Sequence, residues 1–319
     1  MTVTKRVWIA LGVVYVVWGS TYLAIRVAVR TIPPFMMAGV RFLIAGGLLY
    51  AWSIRRGDAD DDPIGPRQWG AAALIGGLLL LGGNGGVVWA ERRVASGVAA
   101  LIIALVPIWM ALMVSVRHQE RMRWWAVAGL VVGLAGTGLL VRSTETGGGA
   151  VSTAGVFVLV LASISWALGS VLSPGVGLPK RPMVSTAMEM LCGGALLLFV
   201  GLLSGEAGQV HLSRISGESV AGFLYLIVLG SWVGFSAYVW LLANAPPSLV
   251  STYAYVNPVV AVFLGWAILH ERVTGLTIVS AVLIVGAVAL IVMAQGVKKR
   301  VEAGAPGAAP APPGPEQAV

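Results

Sequence analysis

Cysteine is almost absent. The single one, Cys192, has no partner for an intrachain disulfide. Lysine is scarce too, and Lys5, Lys180, Lys298 and Lys299 all flank apolar runs. None sits inside a run where it could hold a cofactor as a Schiff base, so no cofactor is expected. Charged residues fill only 11% of 319 positions, against roughly a quarter in a soluble domain. That shortage, with a mean hydropathy of +0.89, excludes an ordinary soluble protein. HExxH, GxSxG, P-loop and CxxC motifs are missing. His118 and His270 have no ligand cluster around them, and the scattered acids form no catalytic pair. Neither a metal site nor an enzyme is therefore expected. The net charge of +8 does not indicate a nucleic-acid surface. The basic residues come in short clusters between apolar runs, as do the loop charges that orient membrane helices.

What the chain has instead is apolar runs of helix-spanning length. A transmembrane helix needs about 20 mostly apolar residues. Ten runs meet that requirement: 7–27, 34–54, 69–90, 96–116, 124–142, 151–172, 182–203, 218–243, 248–269 and 273–295. The expected fold class is all-α integral membrane. Lys5 and Arg6 before the first run imitate a signal peptide, but the run has a helix-length core and, as shown next, a partner in the second half. Placing the N-terminus inside puts thirteen basic residues on the inner face and seven outside. Both termini are therefore expected to be cytoplasmic in a multi-pass protein of the cytoplasmic (inner) membrane. The acidic cluster Asp58, Asp60, Asp61 and Asp62 reads as a solvated inner loop.

The two halves read as copies. A shift of 148 pairs Trp18 with Trp166, Pro34 with Pro182 and Gly46 with Gly194. A shift of 151 pairs Gly83 with Gly234, Trp89 with Trp240, Pro107 with Pro258 and Glu120-Arg121 with Glu271-Arg272. The three-residue change falls in a loop, where insertions are tolerated. Five runs per copy is an odd number, so the second copy enters the membrane from the opposite side. The expected organisation is repeat 1 at 1–145, an inverted repeat 2 at 146–296, and a disordered cytoplasmic tail at 297–319. Inverted repeats are a transporter architecture, with the substrate near the midplane where the copies meet.

Matched polar and aromatic positions mark the expected cavity. Tyr15, Trp18, Tyr22 and Arg26 share one face of the first run. Ser163, Trp166 and Ser170 share the equivalent face of the sixth. Trp8, Trp52, Trp69, Trp124 and Trp125 lie near run ends and read as an interfacial belt. In the third run "LGGNGG" surrounds Asn84 with glycines that permit close approach or local unwinding. Ser231, Phe235 and Tyr238 share a face of the eighth run, where Phe235 is equivalent to Asn84. Pro107 and Pro258 each remove a backbone N–H and clash with the preceding turn, so both are kink or hinge positions. Tyr253 and Asn257, four apart, share a face of the ninth run.

Two charges lie inside runs, at equivalent positions and of opposite sign: Arg41 and Glu189. Each costs about 2.5–3.5 kcal/mol if placed centrally. By helix rise they lie only about 10 Å from opposite faces, so a direct pair between them is not required. Glu189 is the candidate for proton coupling, and Arg41 for attracting a substrate carboxylate. The alternative for both is a structural charge held by neighbouring groups. Gly129 and Gly133 form a GxxxG that suits close packing, within the chain or between subunits.

The stretches "WGSTYLAIRVAV", "PPFMMAGVRF", "ASGVAALI", "SISWALGS" and "STYAYVNPVVAVFLGWAILHE" resemble EamA-type members of the drug/metabolite transporter superfamily, in particular the YedA-like branch. The resemblance runs from about Val7 to Met293. It implies ten helices in two inverted five-helix repeats around a central cavity, and export or exchange of small metabolites such as amino acids. The chain carries no nucleotide-binding signature, so active transport is expected to be secondary. A passive channel would instead give linear flux without counter-flow stimulation. An intramembrane enzyme would turn over without a sealed membrane.

Overall fold

The computed structural model describes residues 5–55, 64–117, 152–245, 247–250 and 252–304, with helical pieces between 127 and 139. The acidic cluster at 58–62, His118 and the Glu120-Arg121 pair lie outside the described residues. Among those described, every regular element is helical. The order is α1 (Lys5–Ala28), α2 (Pro34–Arg55), α3 (Pro66–Ala90), α4 (Ser96–Arg117), the pieces between 127 and 139 (α5), α6 (Thr153–Gly175), α7 (Pro182–Leu203), α8 (Gly217–Tyr238, continued by Gly234–Asn244), α9 (Tyr253–Leu269, preceded by the turn Pro247–Val250) and α10 (Gly275–Gly304). Seven of these, α1 to α4 and α6 to α8, are long and apolar enough to cross a membrane. Exposed apolar side chains such as Val16, Phe157, Phe199, Phe263 and Trp266 line the outside of the bundle, as a lipid-facing surface requires.

Helix starts follow local chemistry. Pro34, Pro66 and Pro182 each open a helix, where the missing N–H is not needed and φ is already set. Ser152 and Ser216 cap α6 and α8, each accepting from the backbone three residues on. Gly205 follows α7 with a left-handed φ of 75°. His270 ends α9 in the same region, at φ 53°. The described part of α10 runs to Gly304 and so takes in residues 297–304 of the expected disordered tail, whose remainder lies outside the described residues. Lys298, Lys299 and Arg300 are good helix formers, and Gly304 is the last described residue.

Glycines set the helix contacts. A Cβ on Gly39 would stand 2.9 Å from Leu198 N, one on Gly194 3.0 Å from Leu43 N, and one on Gly46 3.1 Å from Leu191 N. As the number rises along α2 it falls along α7, so the two helices pack antiparallel. The last two contacts exchange under the shift of 148, since Leu43 is equivalent to Leu191 and Gly46 to Gly194. Along α3 and α6, Gly86 meets Ala162, Gly83 meets Trp166 and Leu79 meets Gly169, again antiparallel. Gly133 faces Ile108 of α4 and Ala287 of α10. Its closeness therefore serves packing within the chain, and the intersubunit reading of the GxxxG is not needed for it.

The third and eighth helices share an irregularity. Gly77–Gly85 in α3 and Leu226–Val233 in α8 are wound as π-helix. The wider turn is rare and occurs mostly as short bulges, frequently at functional sites.

Candidate functional site: an aromatic cluster and a charged end

The aromatic residues expected to line a cavity converge from α1, α8 and α9. The Trp18 ring lies 4.9 Å from Tyr238, 5.3 Å from Tyr253 and 5.4 Å from Phe235, centroid to centroid. Tyr238 and Tyr253 are 5.7 Å apart, edge to face. Such pairs each contribute about 0.5–1.5 kcal/mol beyond burial, so the cluster holds the three helices in register. Asn257, 8% exposed, donates from its amide nitrogen to the carbonyls of Tyr15 and Tyr253, both at 3.3 Å. Tyr15 also shares a hydroxyl–hydroxyl bond with Thr252. Five expected site residues, Tyr15, Trp18, Tyr238, Tyr253 and Asn257, thus form one group.

Trp18 joins this group to a charge. Its Nε1 donates to Gly230 O at 3.3 Å. The next residue, Ser231, accepts from Arg41 Nε at 3.1 Å. Arg41 is 3% exposed, and its guanidinium carbon stands 4.7 Å from the Phe42 ring centroid. Its Nη1 is buried without a hydrogen-bond partner. Leaving a buried donor unmatched costs about 1–3 kcal/mol, more when it is charged. Glu189 is elsewhere, accepting from Ser185 Oγ at 3.2 Å on its own helix. The two intramembrane charges are not joined.

The equivalent positions in the other half are arranged differently. Ser163 is fully buried, accepts from Trp109 Nε1 at 2.9 Å and donates to Val160 O at 2.7 Å. Ser170 Oγ donates to Trp166 O, within its own helix. Trp166 lies against Gly83, where a Cβ would stand 2.7 Å from Cε3. Trp18 lies against Gly234 in the same way, with a Cβ 2.8 Å from Cδ1. Each tryptophan thus seats on the equivalent glycine of the other half. Asn84, beside Gly83 in the π-helical stretch, keeps a buried Oδ1 without a partner. Tyr22 packs at the edge of the main core cluster.

The prolines are matched in sequence but not in effect. α4 breaks into Ser96–Ile103 and Val106–Arg117 immediately before Pro107. α9 runs helically through Pro258, and its interruption lies earlier, between Val250 and Tyr253.

At the charged end the repeated Glu-Arg pairs read in the sequence as helix capping and loop pairing, but their partners carried no sequence signal. The Glu271 carboxylate, after α9, accepts from Ser96 N at 2.9 Å, Ser96 Oγ at 3.0 Å and Gly97 N at 3.3 Å. It caps the start of α4 from the other half of the chain. Glu206, after α7, accepts from Met36 N at 3.0 Å at the start of α2. Burial pushes the Glu206 carboxyl above its ordinary value, while the Met36 and Phe35 amides and Arg92 pull it back. Ser216 N donates to Thr31 Oγ1 at 3.1 Å, Ser219 Oγ to Val27 O at 2.9 Å, and Arg30 pairs with Glu218 at 3.5 Å. All of these ties join the two halves at one end. Glu91 lies at the same end, one residue beyond α3, 0% exposed. Its backbone carbonyl accepts from Arg26 Nη1. Burial pushes its carboxyl well above the ordinary range; Arg26 opposes that and Glu271 adds to it. One sequence signal pointed to Glu91: its repeat-equivalent is Leu242, an asymmetry like that of Asn257 against Val106.

Comparison with known proteins agrees with this arrangement. The profile of the EamA-like transporter family matches twice, at residues 6–142 and 153–293. The inner membrane transporter YedA of Escherichia coli K12 is 40% identical over 287 residues, 90% of each chain. A protein of Streptantibioticus cattleyicolor, named as a probable terminal-alkyne amino-acid exporter, is 27% identical over 317 residues, covering 96% of this chain and 99% of its own. A crystal structure 20% identical in sequence shares the fold, with a TM-score of 0.61 over 94% of this chain and all of that one. With the matched halves and the apolar helices that carry them, these likenesses place the chain in the EamA-like transporter family, within the YedA-like branch of the drug/metabolite transporter superfamily.

Proposed function

We propose that this protein is a secondary transporter that exports or exchanges a small amphipathic metabolite, an amino acid being the first class to test. It works by alternating access between two inverted five-helix repeats, 1–145 and 146–296. The observation that carries this reading is the exchange of seats: Trp18 rests on Gly234 and Trp166 on Gly83, each across the junction of the halves. Antiparallel packing of the equivalent helices α2 and α7 supports the inversion; in this reading the chain makes ten spans with both termini cytoplasmic. The name of the YedA relative supports an inner-membrane location. The name of the Streptantibioticus relative supports amino acids.

In this reading Trp18, Tyr238, Tyr253 and Asn257 form one side of the substrate site, with Tyr15 and Tyr22 on the same helix face. Arg41 Nη1 receives the substrate carboxylate, which would satisfy its unmatched donor. Asn84 Oδ1, likewise unmatched, accepts from an ammonium or hydroxyl group. Ser163, Trp166 and Ser170 back the opposite side, and Ser231 holds Arg41 in place. Pro107 and Pro258 act as hinges, and Glu189 serves coupling within the membrane. The ties at the Glu271 end hold that end together, and in this reading that end is the outer face.

The test is uptake of a radiolabelled amino-acid panel into proteoliposomes, with and without a pH gradient. Asn257→Ala and Trp166→Phe should raise the concentration for half-maximal uptake while the protein still inserts. If no panel member moves, the amino-acid assignment fails. If both variants match the parent, the site assignment fails.

A further inference from the structure

Glu91 is the most confined acid among the described residues, and the site just described makes no use of it. Its side chain is 0% exposed, and neither carboxylate oxygen has a hydrogen-bond partner. Ionised, that arrangement is costly, because an unpaired buried charge loses its hydration without compensation. Arg26, whose charge acts on it, spends Nη1 on the Glu91 backbone carbonyl. Glu271, the carboxylate that adds to the field at Glu91, is held by the amides of the α4 N-terminus. Of these two carboxylates, Glu271 has hydrogen-bond donors and Glu91 has none.

Other ionisable groups surround this end, among them His270 and Arg272 on either side of Glu271, the latter with an interaction of its own. Tyr22 faces Glu91 from α1. Arg93 stacks on Trp89, its guanidinium carbon 4.0 Å from the ring centroid. Arg92 faces Glu206. α6 carries no ionisable side chain, and the first part of α4 offers only Ser96.

We propose that Glu91 is a proton-binding site of this protein, neutral while the Glu271–Ser96 tie closes this end of the bundle. When the tie parts, water reaches the carboxyl and its proton leaves to the aqueous phase on that side. Closing the end again requires a proton from the same phase, because the ionised group has no partner in the closed arrangement. Proton uptake is thereby linked to closure at the junction of α1, α3, α4 and the segment after α9. The site differs from Glu189, which lies on α7 and has Ser185 as a donor.

The experiment is infrared spectroscopy of the full chain in lipid, stepped from about pH 5 to about pH 8, well above the ordinary glutamate range. The parent should keep a protonated-carboxyl band at the upper pH. Glu91→Gln should remove that band, and Glu189→Gln should leave it. A second variant, Glu271→Gln, removes the neighbouring charge and loosens the tie, so the band should titrate at lower pH. An absent band in the parent, or an unchanged band in Glu91→Gln, overturns the proposal. The readout needs no transported substrate, so it stands or falls apart from the amino-acid assignment.

Discussion

Glu271 and Ser96 meet across 175 positions of chain, the carboxylate accepting from the Ser96 amide at 2.9 Å and its hydroxyl at 3.0 Å. The contact is a helix cap supplied by the other half of the molecule. A charge-assisted bond to a helix N-terminus contributes about 1.5–3 kcal/mol. Glu271→Ala should lower thermal stability in detergent by an amount of that order. A double-mutant cycle with Ser96→Ala should show coupling of about 1 kcal/mol. Additive losses would mean the cap is not felt.

The paired seats of the tryptophans give a symmetric prediction. Gly83→Ala and Gly234→Ala each drive a methyl into a tryptophan ring. Each should cost about 1–3 kcal/mol, the usual penalty of overpacking, and both should impair uptake. Gly12→Ala, whose new methyl meets nothing within 4 Å, is the control and should be neutral in both assays.

Glu91 gives a pH dependence with a definite sign. Below the ordinary carboxylate range the group is protonated whether the chain is folded or not. Its folded value is raised by burial, so above that range the folded chain still holds a proton that the unfolded chain has released. Stability should therefore fall as pH rises and level off above the folded value. Melting curves at stepped pH should show this slope in the parent and lose it in Glu91→Gln.

How much of this was legible in the sequence depended on the range of each interaction. Trp18 and Trp166, Gly83 and Gly234, and the antiparallel α2 and α7 follow from patterns that repeat at a fixed shift. The shared face of Tyr253 and Asn257 followed from helix periodicity, but their meeting with Trp18 of α1 did not. At the charged end a capping role for Glu271 was legible but its partner was not, because Glu271 with Ser96 and Glu206 with Met36 are pairings between loops and helix starts with no periodic signal. Matching prolines also misled about matching geometry. α4 breaks before Pro107, whereas α9 is interrupted before Tyr253 and continues through Pro258. The π-helical turns were foreshadowed only by the glycines around Asn84.

The ties at one end predict a switchable lock. Ser216 N and Thr31 Oγ1 are 3.1 Å apart across the junction of the halves. The pair Thr31→Cys with Ser216→Cys should cross-link on oxidation and hold this end closed. Uptake should stop in the oxidised protein and return on reduction, while each single variant stays active in both states.

Counter-flow in sealed proteoliposomes tests the central claim, that this chain is a carrier whose two halves alternate. Vesicles loaded with an excess of an unlabelled panel amino acid should take up the labelled one faster than empty vesicles, with a rate that saturates. A rate that is linear in concentration and indifferent to the internal load would show a passive pore and contradict the account.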